Sequence, residues 1–369
     1  CGRHVERLPG RAVRDTRLPD LRLAFYDAVL VYDALEQAWS LLRLEFDRPP
    51  AGAGRGGEAL RQVAAEADPA AAGPPPAAAE LADAATRPAV RAESNFAPEA
   101  YRRAVARCVE YIAAGDIFQV NLSQRLTVPD APAPLDIYRA LRRRNPACYA
   151  AYLQFDVDAA PCAVASSSPE LFLRLRGDRV VTRPIKGTRP RTGDASADVA
   201  AAAELLASEK DNAELAMIVD LLRNDLGRVC RYGSVRVTDP RRLETHPTVF
   251  HLVATVEGRL RAGVGPAGLL RATFPGGSIT GAPKIRAMEI IDELEPLARG
   301  PYTGCIGTVA VGGACEWNIV IRTVVCNAGA AHVQAGGGIV ADSRPQAEYR
   351  ETLDKARALL EAIAQARRS

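Results

Sequence analysis

A single lysine stands before a glycine in the stretch RPIKGTRPR, and three arginines surround it at positions 183, 189 and 191. Neighbouring positive charge makes a lysine harder to protonate, and burial would add to that effect. A lysine with a lowered pKa can attack carbon as a neutral amine. Lys186 is therefore a candidate nucleophile, and a solvated basic loop is the alternative interpretation.

Two pairs of carboxylates occur at helical spacing. Asp211 and Glu214 are three residues apart in one predicted helix, and Glu348 and Glu351 are three apart in another. Residues at this spacing share one helix face. Each pair by itself is typical of a solvated surface. Two pairs from two helices could instead hold one hard divalent cation such as Mg²⁺, partly through water.

A run of three glycines, Gly336, Gly337 and Gly338, occurs in AGGGIVADS, between a predicted strand and a predicted helix start. Glycines let backbone N–H groups approach an anion closely, and a helix start adds favourable partial charge. The run is therefore a candidate anion site or, alternatively, an ordinary tight turn.

Four other side chains are candidates for substrate binding or acid–base chemistry, each with a structural alternative. Arg322 occupies an alternate position of the apolar strand NIVIRTVV, where it could bind a small acid or form a structural ion pair. Tyr302 could join it or belong to the core. Glu170 precedes an apolar strand and could be a surface residue, and His251 in FHLVATV is more typical of a core histidine than of an acid or base.

The elements that must position these residues predict an α+β fold. Strands are frequent, often joined as hairpins, and not regularly alternated with helices, which favours antiparallel sheets. Residues 1–48 contain a predicted hairpin over 22–46, and 49–92 form an Ala/Pro/Gly-rich linker with room for one helix. Residues 93–369 form the predicted catalytic domain. Within it the pattern predicts one long helix over 197–226 and strands near 302–311, 316–326 and 330–336.

Composition excludes several classes of protein. The 369 residues are 48% hydrophobic, enough for a large core, and a formal charge of +3 is too mild to imply nucleic acid as a partner. The longest uncharged run, residues 323–341, contains polar residues and four glycines and would not span a membrane. The eight cysteines form no Cys-x-x-Cys pair, which predicts reduced thiols in a cytoplasmic protein. Because the first residue is Cys1, we expect the chain to begin partway into a longer protein.

Together these stretches resemble the chorismate-utilising enzymes. The resemblance rests on SSSPELF, RPIKGTRPR, EKDNAELAMIVDLLRNDLGRVC, THPTVFHLVATVEG, FPGGSITGAPKIRAMEIIDELEP, YTGCIG, IVIRT and AGGGIVADSRPQAEYRET, which occur in the family's order from Asn95 onward. It implies large antiparallel β-sheets packed as a sandwich with helices on the outside, as in anthranilate synthase component I. Within this family, PIKGT is typical of aminodeoxychorismate synthase component I, whereas anthranilate synthases have PIAGT.

The implied reaction is the amination of chorismate to 4-amino-4-deoxychorismate, a precursor of 4-aminobenzoate and folate, through a covalent Lys186 adduct. The alternatives are anthranilate synthase, isochorismate synthase or salicylate synthase from the same family, or a non-catalytic chorismate-binding subunit. The resemblance implies Glu170 as acid or base and His251 near the ring. Magnesium would be bound by Glu214 and Glu351, with Asp211 and Glu348 acting through water. The remaining implied contacts are to substrate: Gly187, Thr188, Tyr302, Arg322, Gly336, Gly337 and Gly338.

The resemblance also implies a source of ammonia. A glutaminase would need Gly-x-Cys-x-Gly and a later His-x-Glu; Gly-x-Cys-x-Gly does not occur in this sequence, and the His-x-Glu at residues 4–6 follows no such motif. We therefore expect a glutamine amidotransferase partner, either a separate subunit or a fused domain. The family's N-terminal block that contributes a tryptophan pocket has only its end here, CGRHVERLP, so a tryptophan site is not predicted.

Overall fold

A computed structural model describes residues 5–6, 8–48, 55–66 and 90–368. Among them, 21–66 form one compact unit, and 5–20 together with 90–368 form the other. This grouping differs from the boundaries expected after residues 48 and 92. Residues 5–20 belong with the large unit because Val13 pairs with it: its N–H donates to the Pro296 oxygen at 3.0 Å, and its oxygen accepts from the Ala298 N–H at 2.9 Å.

The small unit contains the predicted hairpin. Strands β1 (Ala28–Asp33) and β2 (Ala38–Arg43) pair antiparallel, with Ala28 opposite Arg43. Helix α1 (Arg55–Glu66) follows. Most of the predicted linker, 67–89, lies outside the described residues.

The large unit contains two seven-stranded antiparallel sheets in its described part. The first has the order β12-β4-β16-β15-β6-β5, with β3 beside β4. Its strands are β3 (Glu93–Ser94), β4 (Gln119–Val128), β5 (Tyr149–Val157), β6 (Ala160–Ser168), β12 (Gly281–Ala282), β15 (Thr323–Asn327) and β16 (Ala330–Ile339).

The second sheet has the order β10-β11-β8-β7-β14-β13, with β9 beside β11. Its strands are β7 (Leu171–Arg176), β8 (Arg179–Arg183), β9 (Ile185–Pro190), β10 (Arg236–Thr245), β11 (Val249–Arg259), β13 (Gly307–Val309) and β14 (Cys315–Asn318). The predicted α+β sandwich of antiparallel sheets is confirmed.

Helices cover the sheets through their apolar faces. The helices are α2 (Pro98–Ala113), α3 (Pro134–Arg144), α4 (Ala195–Ala207), α5 (Glu209–Gly227), α6 (Pro266–Thr273), α7 (Lys284–Leu294) and α8 (Pro345–Ala366). Residues of α2, α3, α7 and α8 share apolar clusters with the first sheet. Residues of α4, α5 and α6 share one with the second.

The strand predicted near 302–311 is limited to Gly307–Val309, and two other predicted elements differ in the structure. The single helix over 197–226 is two helices, because the chain turns at Ser208, whose hydroxyl accepts a hydrogen bond from the backbone N–H of Asp211 at 3.2 Å. The strand predicted over 316–326 is interrupted between β14 and β15, where Arg322 has a positive φ of 51°. Both differences change how site residues are held.

Candidate active site

Lys186 occupies the second position of β9, with 12% of its side chain exposed. Its Nζ atom lies 3.9 Å from Glu214 Oε2. Burial lowers the pKa of this lysine; Glu214 opposes that change and Lys355 adds to it. The predicted direction is therefore correct.

Of the two predicted causes, burial is confirmed and neighbouring arginines are wrong. Each arginine of the stretch is bound to carboxylates: Arg183 to Glu244, Arg189 to Glu204 and Asp211, and Arg191 to Asp198. These positive charges are compensated where they lie. Burial of Lys186 and the ammonium group of Lys355 lower its pKa instead.

Glu170 lies between β6 and β7 and is buried, so it is no surface residue. The Ser278 hydroxyl donates a hydrogen bond to its Oε1 at 2.7 Å. Burial raises the pKa of Glu170 to about 7, although Ser278, Lys186 and the backbone of Ile185 oppose that change. A carboxyl group with this pKa is partly protonated near neutral pH and can act as a general acid.

His251 in β11 is buried, and its Nδ1 lies 2.9 Å from the Thr188 hydroxyl oxygen. Burial, together with His246 and Arg322, lowers the pKa of His251 to about 3. The imidazole is therefore neutral at physiological pH and holds Thr188 rather than supplying a proton. Gly187 has a φ of +79°, and an added methyl group would lie 2.9 Å from Asp211 Cγ, so the strand can pass α5 only with glycine here.

Arg322 and Tyr302 lie close enough to influence each other's ionisation. Arg322 donates a hydrogen bond to the backbone oxygen of Lys355 at 2.7 Å. Burial lowers the pKa of Arg322, and Tyr302 opposes that change. Burial raises the pKa of Tyr302 to about 12, so it keeps its O–H proton. The pair therefore presents a cation and a hydroxyl donor, which suit a carboxylate.

The three glycines lie within β16 and not in a turn before a helix, which corrects the expected geometry. They pair with β4, Gly336 opposite Ser123 and Gly338 opposite Asn121. On its other side, β16 pairs with β15 only over Ala330–Val333. The edge of β16 that faces away from β4 is therefore not covered by β15 at the three glycines. Lys355 Nζ donates to the Gly336 oxygen there, at 2.9 Å. Backbone groups at that edge can still receive an anion.

The carboxylates predicted as metal ligands are brought together only in part. A methyl group on Gly337 would lie 3.1 Å from Glu348 Oε2 and 3.4 Å from Glu351 Oε1, so these two converge. Glu214 instead faces Lys186, and Asp211 accepts a hydrogen bond from Arg189 at 3.0 Å. In the described ranges, no three or more histidine, cysteine or acidic side chains are grouped as a metal site.

The electrostatics of this acidic group nevertheless suit a hard cation. Burial raises the pKa of Glu214 and of Glu348, and Glu351 adds to both increases. Burial would also raise the pKa of Glu351, but Lys355, Lys210 and Lys186 together outweigh it and the net pKa is lowered. Magnesium keeps several waters when it binds protein, so carboxylates spaced by water are compatible with it. The residues fit Mg²⁺ in that form.

Sequence reasoning missed Ser278 and Lys355. Lys355 follows Glu351 by four residues, a spacing that signals a helical ion pair. Ser278 stands in the Gly-rich segment FPGGSITGAPK, where a hydroxyl side chain directly after two glycines was the available signal.

None of the helices in the described part of the chain is long and apolar enough to cross a membrane.

Comparison with known proteins identifies the family. The sequence model of the chorismate binding enzymes matches residues 1–361. The chain belongs to that family. It is 46% identical to anthranilate synthase component 1 of Thermus thermophilus over 362 residues, covering 98% of this chain and 75% of that protein. It is 44% identical to aminodeoxychorismate synthase component 1 of Klebsiella aerogenes over 359 residues, covering 97% and 74%.

A solved structure agrees with this assignment. The crystal structure of anthranilate synthase component I from Streptococcus pneumoniae TIGR4 is similar, with a TM-score of 0.78 and 33% identity. The match covers 97% of this chain and 77% of that one. The chain is therefore a chorismate-family enzyme with the fold of that structure.

Proposed function

We propose that this enzyme aminates chorismate to 4-amino-4-deoxychorismate. The observation that carries the proposal is Lys186, a buried amine whose pKa is lowered and whose neighbour Glu170 has a raised pKa. A neutral amine can attack carbon, and a protonated carboxyl can release a hydroxyl as water. Replacing the hydroxyl of an allylic alcohol by an amine requires both groups, a neutral amine to attack and a protonated acid to release the hydroxyl.

The reaction proceeds in two balanced steps. The Lys186 amine adds to the ring carbon remote from the hydroxyl, the double bonds migrate, and the hydroxyl leaves as water with a proton from Glu170. Ammonia then adds at the carbon that carried the hydroxyl, the double bonds return, and the lysine leaves as a neutral amine. The new ammonium group returns one proton to the Glu170 carboxylate, which restores the starting enzyme. The net change exchanges hydroxyl for amine with release of one water, and it needs no oxidant or reductant.

The two carboxylates of chorismate would be bound at opposite sides of the ring. Arg322, Tyr302 and the backbone of Gly336–Gly338 suit the enolpyruvyl carboxylate by charge and hydrogen bonding. Gly187 and Thr188 would lie along the ring, with neutral His251 fixing the Thr188 hydroxyl. Mg²⁺, when bound, supplies positive charge for the ring carboxylate, and Glu214, Glu351, Asp211 and Glu348 would hold it.

Ammonia would come from a glutamine amidotransferase, separate or fused. Support for a partner comes from the relatives, several of which are named component 1. The sequence given carries no class I glutaminase motif.

A second candidate is anthranilate synthesis from the same substrate. It is favoured by relatives of that name, including one 50% identical over 275 residues in Haloarcula marismortui, which covers 74% of this chain and 54% of that protein. The two functions differ in the carbon that receives nitrogen. They also differ in the need for Lys186, because direct addition of ammonia requires no enzyme amine.

Product analysis tests the proposal. Purified chain is incubated with chorismate, an ammonium salt and Mg²⁺, and the product is separated and weighed by mass spectrometry. We expect 4-amino-4-deoxychorismate and a transient covalent adduct on the peptide that contains Lys186. In Lys186→Ala we expect loss of that product by several orders of magnitude. Anthranilate from wild type, or near-normal amination by the alanine variant, would refute the proposal.

A further inference from the structure

Gln119 is a buried side-chain amide that the mechanism above does not use. It is the first residue of β4 and has 0% exposure. Neither its Nε2 nor its Oε1 has a hydrogen-bond partner in the described part of the protein. Buried polar atoms are normally paired, since an unpaired donor or acceptor costs stability. Such a residue calls for an explanation.

The position of this amide points into the site. A methyl group on Gly338 would overlap Nε2 of Gln119 and would lie 3.5 Å from Nζ of Lys186. The amide and the lysine amine therefore border the same space. Glycine at position 338 leaves that space open, whereas any side chain there would fill it.

Other buried glutamines of the same sheet are satisfied. Gln124, five residues along the same strand, donates to the Thr352 hydroxyl at 2.6 Å and accepts from the Ser94 hydroxyl at 2.7 Å. Gln334 donates to the Ser123 hydroxyl at 2.8 Å. An odd separation puts Gln124 on the opposite face of β4 from Gln119. The unpaired amide is thus a feature of the face that Lys186 approaches.

We propose that Gln119 hydrogen-bonds both the Lys186 amine and the bound substrate. Its carbonyl oxygen accepts an N–H from the neutral lysine, and its NH₂ group donates to an oxygen of the substrate. An amide carries one acceptor and one donor end, and so can serve both at once. The contact turns the lone pair of Lys186 toward the ring carbon. The inference rests on the proposed function for the identity of the substrate, chorismate.

The first test separates function from folding. Gln119→Leu removes an unpaired polar group, so the melting temperature should stay the same or rise, while kcat/KM falls about tenfold to a hundredfold through loss of one or two hydrogen bonds. Gln124→Leu is the matched control: it breaks two satisfied hydrogen bonds, so the melting temperature should fall and kcat/KM should stay unchanged. Unchanged kcat/KM in Gln119→Leu, or a loss explained by lower stability, overturns the proposal.

The second test reads the contact with the lysine. In Gln119→Glu the oxygen that accepts from Lys186 is kept while the NH₂ donor to the substrate is lost, so KM should rise while kcat falls less than in Gln119→Leu. An equal fall in kcat in both variants overturns the contact with the lysine.

Rates are measured as chorismate consumed, so they do not depend on which product forms. Anthranilate as product would refute the proposed amination and still leave the Gln119 comparison decisive. If wild type neither consumes chorismate nor binds it in a calorimetric titration, both proposals are wrong.

Discussion

Replacing Glu170 by glutamine should make the protein more stable at alkaline pH and far less active. The folded protein holds the proton of Glu170 up to about pH 7, because the carboxyl group is buried. An unfolded glutamate loses its proton near pH 4.5. Between these values the folded state binds more protons than the unfolded state, so stability falls as pH rises through that window.

The magnitude follows from the two pKa values. Their difference corresponds to about 3 kcal/mol of unfolding free energy that the wild type has lost by pH 8. The uncharged Gln119 side chain does not contribute to this pH dependence of stability. Glu170→Gln is neutral at every pH and keeps an acceptor for the Ser278 hydroxyl, so it avoids the loss. It should therefore gain up to about 3 kcal/mol over wild type at pH 8 and little at pH 4.5.

The assay is urea unfolding of both proteins across this pH range, followed by fluorescence. Ser278→Ala is the matched control. It removes the hydrogen bond to Glu170, so the pKa of Glu170 should rise further and the loss of stability should occur at a higher pH than in wild type. Catalysis in Glu170→Gln should fall about a hundredfold to ten-thousandfold, the usual contribution of a general acid. A variant with no gain in stability at pH 8 would refute the argument that burial raises this pKa.

Three further outcomes test the surrounding charges and the source of ammonia. Glu214→Gln and Glu351→Gln should each weaken Mg²⁺-dependent activity by one to several orders of magnitude, measured as rate against magnesium concentration; wild-type dependence would exclude both as ligands. Lys355→Met should move the acid limb of kcat/KM to higher pH because it removes a cation that lowers the pKa of Lys186, whereas Arg183→Gln should leave that limb in place. The chain alone should use ammonium but not glutamine, and glutamine-dependent turnover would contradict the need for a partner.

Local patterns predicted many elements because those elements are locally determined. The hairpin of β7 and β8 turns at Gly177, which has the positive φ that such a turn requires. Apolar residues recur at helical spacing in α2, and Tyr101, Val105 and Cys108 are buried there. In each case the pattern and the three-dimensional partner agree.

The site was harder to predict where tertiary pairing decides the conformation. The glycines 336–338 are typical of a turn, yet pairing with β4 along their whole length keeps them extended. Arg322 looks like a strand residue, but β15 begins only after it, and its positive φ directs it to the backbone of Lys355. Neither partner is near in sequence.

The cause of the Lys186 pKa shift could have been read more accurately from strand geometry. Arg189 shares β9 with Lys186 three residues away, where strand alternation points it to the opposite face, whereas Arg183 ends β8 and Arg191 follows β9. Their carboxylate partners lie on other elements and could not be paired by spacing. Lys355, the cation that matters, is 169 residues away along the chain.

Burial acts on Lys186 and Glu170 in opposite directions, and both changes favour neutral groups. It lowers the pKa of the amine and raises that of the acid. Their mutual attraction works the other way, since Glu170 raises the pKa of Lys186 and Lys186 lowers that of Glu170. Because burial outweighs that attraction at both groups, the folded protein shifts Lys186 toward the neutral amine and Glu170 toward the carboxylic acid. Removal from water therefore acts on both groups at once, and under the proposed function it favours the nucleophile and the proton donor together.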